Sequence, residues 1–119
     1  MFQKMLQVGS GGGEAFDFMD FDVAMADLDT SSSKSITLNV RKKPRYVVIS
    51  RAQRSSAYYL YNFICDIKND KYRSVSYTSS GYVDTETAGL PNTLSVTDTT
   101  VTYTNPASQT HRCVLMAWY

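Results

Sequence analysis

Strict alternation of apolar and polar residues over short runs, broken by turn residues, is the feature that most constrains this chain. In "SITLNV", Ile36, Leu38 and Val40 fall on one side and Thr37 and Asn39 on the other, and "TLSVTD" and "TVTYTN" alternate in the same way around Asp98. A period of two belongs to a β-strand with one face in a core. Ser and Thr supply 26 of the 119 residues and Tyr nine, an alphabet suited to a pleated, half-buried surface rather than to long helices. Short strands at this spacing predict an all-β chain folded as an antiparallel β-sandwich, jelly-roll-like, and nothing repeats at a fixed period.

The strand count follows from the segments. "FDFMDFDVAMADLD" reads as one or two strands, which gives seven or eight in all. Pro44 favours an extended approach to "RYVVISR", where the run Tyr46 to Ile49 predicts a strand buried on both faces. "AYYLYNFICDI" and "YRSVSYT" form a hairpin through "KNDK". The polar stretch from Ser79 to Asn92, with Gly81, Gly89 and Pro91, reads as an exposed loop with room for one short strand. "PASQ" turns the chain into "HRCVLMAWY", whose apolar end predicts an interior strand or one covered by a partner. Ahead of all this stands an apolar peptide and a glycine run. Met1, Phe2, Met5, Leu6 and Val8 read as a partner anchor and Gly9, Gly11, Gly12 and Gly13 as a hinge, so residues 1–13 form a tether and 14–119 the β domain.

Charge and motifs exclude several functions. A formal net charge of +1 argues against nucleic acid binding driven by overall charge. The longest apolar run, "CVLMAWY", is far short of a membrane helix, and no signal-peptide core precedes a cleavage site. "GSGGGEAF" lacks the Lys-Ser/Thr of a phosphate loop, and the acids between Glu14 and Asp29 do not follow calcium-loop spacing. His111 and Cys113 share a strand face, but Cys113 opens a run that looks like core, and one histidine makes no zinc set of usual composition. Cys65 and Cys113 read as buried reduced thiols, with a cross-strand pair as the alternative. The expectation is a non-enzymatic protein without cofactor or metal.

Two clusters stand out as interface or receptor candidates. Lys34, Arg41, Lys42, Lys43, Arg45, Arg51 and Arg54 follow directly on the acidic segment, so they either pair with it within the chain or meet a neighbour's acidic edge. Tyr58, Tyr59, Tyr61 and Tyr82 belong to the second cluster. On a strand Tyr59, Tyr61 and Phe63 share one face and Tyr58 and Leu60 the other; one face is core, and the other is an interface or a sugar platform.

The run "FDVAMADLDTSSSKSITLNVRKKPRYVVIS" resembles the opening of small β-sandwich domains in tail fibres and other appendages of tailed bacteriophages. The likeness lies in the turn Ser31 to Ser33, the strand Ile36 to Val40, and Pro44, Arg45 and Tyr46 leading into Val47 to Ile49. The close, "SVTDTTVTYTNPASQTHRCVLMAWY", is similar to theirs, so the resemblance spans residues 21–119. Those domains often carry Gly-Phe before the Pro step, where this chain has Arg41, Lys42 and Lys43. The resemblance implies a virion structural protein made in the host bacterial cytoplasm, present in multiple copies, in contact with other virion proteins and with a host surface glycan, and it brings no catalytic residues. With the anchor peptide, it points to a tail tip or tail fibre component forming a trimer or higher homo-oligomer. The alternatives are a head decoration or head-fibre protein of the capsid and a free carbohydrate-binding module.

Overall fold

The computed structural model describes residues 20–28, 34–54, 58–105 and 111–119. The anchor and hinge residues, Met1 to Gly13, and the expected "PASQ" turn lie outside the described residues. Nine strands run antiparallel in two sheets: β1 (Phe21–Leu28), β2 (Ser35–Asn39), β3 (Tyr46–Arg54), β4 (Tyr58–Asp66), β5 (Lys71–Thr78), β6 (Gly81–Ala88), β7 (Leu94–Val96), β8 (Thr100–Thr104) and β9 (His111–Trp118). The larger sheet has the order β1-β9-β3-β4-β5-β6 and the smaller the order β2-β8-β7. The fold is thus an antiparallel β-sandwich.

Alternation sets which side chains enter the core. Ile36 and Leu38 of β2, Leu94 of β7 and Val101 and Tyr103 of β8 point down from the small sheet. Leu28, Val47, Ile49, Cys65, Cys113, Leu115 and Ala117 rise to meet them from the large one. Each buried Val, Leu or Ile among them contributes about 1.5–3 kcal/mol on leaving water. The outer side of the small sheet is polar and locked by hydroxyl pairs across strands, Ser35 with Thr104 at 2.8 Å and Thr37 with Thr102 at 3.0 Å. The buried core takes residues from β1, β3, β4 and β9, and β5 and β6 contribute none to it.

Several expectations are corrected here. The stretch from Ser79 to Asn92 is not an open loop: Gly81–Ala88 forms the full strand β6, exposed along its whole length and joined to β5 by the tight turn Ser79-Ser80. Its polar residues mislead because a strand with both faces in water needs no alternation. β3 is central in its sheet but is not buried on both faces; Val47 and Ile49 are fully buried, whereas Tyr46 is exposed and Val48 half-buried, since the small sheet covers one side only. Cys65 and Cys113 are free and do not pair. Cys65 stands opposite Val47 and Cys113 opposite Arg51, with β3 between them. Two strand spacings, about 10 Å, and a four-residue offset exceed the roughly 7 Å Cα limit of a disulfide.

Candidate functional site: the uncovered face of the large sheet

Opposite residues in a ladder share a face, so the registers define the outer surface of the large sheet row by row. The first row is Phe21, Trp118, Tyr46, Asp66, Lys71 and Ala88; the second is Val23, Met116, Val48, Ile64, Arg73 and Glu86. The third is Met25, Val114, Ser50, Asn62, Val75 and Asp84, and the fourth Asp27, Arg112, Ala52, Leu60, Tyr77 and Tyr82. No described element packs over this grid. Among the described residues, every large apolar side chain left exposed except Val83 lies on it: Val23, Met25, Tyr46, Leu60, Ile64, Tyr77 and Tyr82. An exposed apolar surface of this kind makes the face the candidate interaction surface.

The inner side of the β5–β6 wing supplies the contrast. Where the large sheet runs past its cover, Ser74, Ser76 and Thr78 of β5 and Thr85 and Thr87 of β6 face inward, with Val83 among them and Tyr72 packed on Phe63 at the border of the core. The outer side of the wing mixes Val75, Tyr77 and Tyr82 with the charges of Lys71, Arg73, Asp84 and Glu86.

Charged residues on the outer face are paired within the chain. Arg112 Nε donates to Asp27 Oδ1 at 2.5 Å and Nη2 to Oδ2 at 3.1 Å; Arg73 holds Asp84 in the same forked way at 2.8 and 3.3 Å. The hydrogen bonds from Arg73 keep the Asp84 carboxyl below the usual carboxylate range. Lys71 Nζ lies 3.8 Å from Glu86, and Arg45 Nε 3.7 Å from Asp66. The charges of the face are paired, and its apolar side chains concentrate on β1, β9, β3 and β4 around Ser50 and Asn62.

The basic cluster predicted from sequence is divided. Arg41 turns back to Asp20 at 2.6 Å and Asp22 at 3.4 Å and stacks on the Tyr119 ring, 4.4 Å from its centroid. The Tyr119 hydroxyl in turn donates to Asp22 Oδ2 at 2.5 Å and accepts from the Arg41 backbone N–H at 3.2 Å. Lys42, Lys43 and Arg45 instead line an open cleft of about 520 Å³ with Pro44, Ile67, Lys68 and Tyr119. Its floor is pinned where Arg45 N–H donates to the Trp118 carbonyl and Ile67 N–H to the Arg45 carbonyl. Among the described residues Lys42, Lys43 and Lys68 have no carboxylate within 4 Å.

The tyrosines are divided as well. Tyr59, Tyr61 and Phe63 face the core side with Cys65, which settles which face of β4 is inward. Tyr61 packs edge-on to His111 and under the Arg51 guanidinium, 4.6 Å away. Tyr82 is outward and packs on Tyr77 at 5.0 Å, the rings tilted by 55°; nothing is described of the Tyr58 side chain. Sequence reasoning placed Leu60 on one of the two candidate faces and missed Val23, Met25 and Ile64. They lie on the strand faces opposite the core, and are legible only once the core face is known.

Burial governs the remaining candidate chemistry. Cys113 and His111 do share a face, but both are buried, and burial pushes the Cys113 thiol up to about 11 and Cys65 up to about 12. Among the described residues no group of three His, Cys, Asp or Glu is placed to hold a metal ion. No protein-family model, curated protein or solved structure matches the chain.

Proposed function

We propose that this chain is a non-enzymatic structural protein whose task is docking, built in multiple copies into the tail tip or tail fibre of a virion. The observation that carries the docking half is the uncovered outer face of the large sheet, which gathers Val23, Met25, Tyr46, Leu60, Ile64, Tyr77 and Tyr82 as exposed apolar side chains. The resemblance of residues 21–119 to phage appendage domains supports the virion half, and the apolar peptide at residues 1–8 fits a second attachment to a neighbouring protein. The buried, protonated thiol of Cys113 offers no activated nucleophile, which supports a role without catalysis. In this reading the cleft at Lys42, Lys43 and Lys68 is where an anionic host surface glycan is met.

A capsid decoration protein shares the same docking face and differs only in its place on the particle. A free sugar-binding module has less support, because Tyr59 and Tyr61 turn inward and Tyr77 and Tyr82 are too tilted to form a flat platform. The test is incorporation. Particles of the phage that encodes the chain are purified and assayed by mass spectrometry, with Ile64→Lys beside the unaltered chain. The chain in stoichiometric copies, and the variant folded but absent, supports the proposal; a chain found only in the free fraction overturns it.

A further inference from the structure

We propose that the outer face of the large sheet is the contact between two copies of this chain, packed sheet on sheet about a two-fold axis. The inference rests on the docking reading above and names the partner. Three observations select a second copy.

The first is size. Six strands about 4.8 Å apart and four rows about 6.8 Å apart give, with side-chain borders, a face on the order of 700 Å². A stable pair buries about 800 Å² per partner, and two twisted sheets stack face to face about 10 Å apart. The second is charge. The carboxylates of the face each have a cation on the same chain, so a copy brings no unpaired charge against its twin, and the face selects no partner of a particular sign. The charges are gathered on β5 and β6 at one side and at the Asp27–Arg112 corner, while the row Val23, Met116, Val48 and Ile64 runs apolar across β1, β9, β3 and β4, so the face has an apolar part bordered by paired charges.

The third is that one competing self-contact is opposed. β6 is one of the two edges of the large sheet, β1 being the other, and an open edge is the usual template for strand addition. Antiparallel pairing of β6 with its own copy in either central two-fold register sets Asp84 opposite Asp84 or opposite Glu86, like charge on like charge. Strand addition through β6 is therefore disfavoured against contact through the face. A contact of this kind uses the same patch on both copies and closes at two, in place of the ring of three or more expected from the sequence.

The experiment is light scattering on the full chain from low to high micromolar concentration, beside the double variant Met25→Lys with Ile64→Lys. Both side chains are well exposed, 65% and 43%, so the fold has no need of them. The expected result is a dimer mass for the unaltered chain and a dissociation constant at least about 100-fold weaker for the variant, at unchanged circular dichroism. Tyr77→Lys is the second variant, with the same expectation, should the double variant fail to fold. A monomer at every concentration overturns the proposal, as does a trimer, or a dimer that survives the lysines. A monomer that still enters particles removes only the self-contact and leaves the docking reading standing. A dimer absent from particles removes the virion reading and leaves the self-contact.

Discussion

Stability is expected to fall steeply between pH 8 and pH 10 because of the two buried thiols. An unfolded cysteine ionises around its ordinary value of 9.0, while in the folded chain burial pushes Cys65 up to about 12 and Cys113 up to about 11. Above pH 9 the unfolded state has lost protons that the folded state keeps, so unfolding becomes more favourable by about 1.4 kcal/mol per pH unit and per thiol. One unit above 9.0, two thiols together cost about 2.5–3 kcal/mol relative to pH 8, a large share of the roughly 5–15 kcal/mol that holds a domain together. Tyr103, also pushed up to about 12 by burial, adds to the loss only from about pH 9.5 upward. The assay is urea unfolding under reductant at half-unit pH steps, for the chain and for Cys65→Ala with Cys113→Ala. The double variant is less stable throughout, since each substitution opens a small cavity, but its profile is nearly flat from pH 8 to about 9.5, where raised tyrosines such as Tyr103 begin to contribute. A flat profile in the unaltered chain, or an equal slope in the variant, refutes the assignment of inert buried thiols and reopens Cys113 as a nucleophile.

Other outcomes follow from single sites. Arg51→Met keeps an apolar stem beside Tyr61 and Phe63 and removes a buried charge whose Nε and Nη1 lack a hydrogen-bond partner; it is expected to raise stability by about 1 kcal/mol in denaturant unfolding, and a loss of that size refutes the reading. Gly89 has φ +82° after β6, so Gly89→Ala costs about 1 kcal/mol by strain alone, nothing lying within 4 Å of the added carbon; an unchanged thermal midpoint contradicts this. Asp84→Val with Glu86→Val removes the charges that guard the β6 edge, and thioflavin-positive aggregation is expected at concentrations where the unaltered chain stays clear. Continued clarity there would show the edge to be protected by other means.

What could be read in the sequence tracks how one-sided each strand is. β2 and β8 each have one face in the core and one polar, so the period of two located them and their inward residues, Ile36, Leu38, Val101 and Tyr103, whereas β9 is apolar on both faces and showed only as an apolar run. β6 has no buried face, and a chain segment solvated on both sides carries no alternation to detect; its glycines and Pro91 mark its flanks rather than a loop. β4 fails in the opposite way. Phe63 and Cys65 on one face and Leu60 and Ile64 on the other are all apolar, so no local rule separates core from contact surface. Only the placement of the three-stranded sheet decides, and that depends on residues 35–39 and 94–104 folding over one side.

In the docking reading the outer face is more than surplus hydrophobicity. Scattered apolar residues on a protein surface need no explanation, but those here are gathered on one face and reach beyond the core strands onto β5 and β6. Tyr77 and Tyr82 sit on the wing, beyond the cover of the small sheet, where their neighbours on the opposite side are Ser76, Thr78 and Val83. Both sides of the wing carry polar residues: hydroxyls on the inner side, where Tyr72 packs against the core, and Lys71, Arg73, Asp84 and Glu86 on the outer. Tyr77 and Tyr82 nonetheless continue the row of Ala52 and Leu60 onto the outer side, and forked ion pairs at Arg73–Asp84 and Arg112–Asp27 neutralise the charges that would otherwise hold a partner off. A face maintained in this way is explained by what covers it, which is why lysines at residues 25 and 64, harmless to the core, are expected to abolish assembly while leaving the sandwich intact.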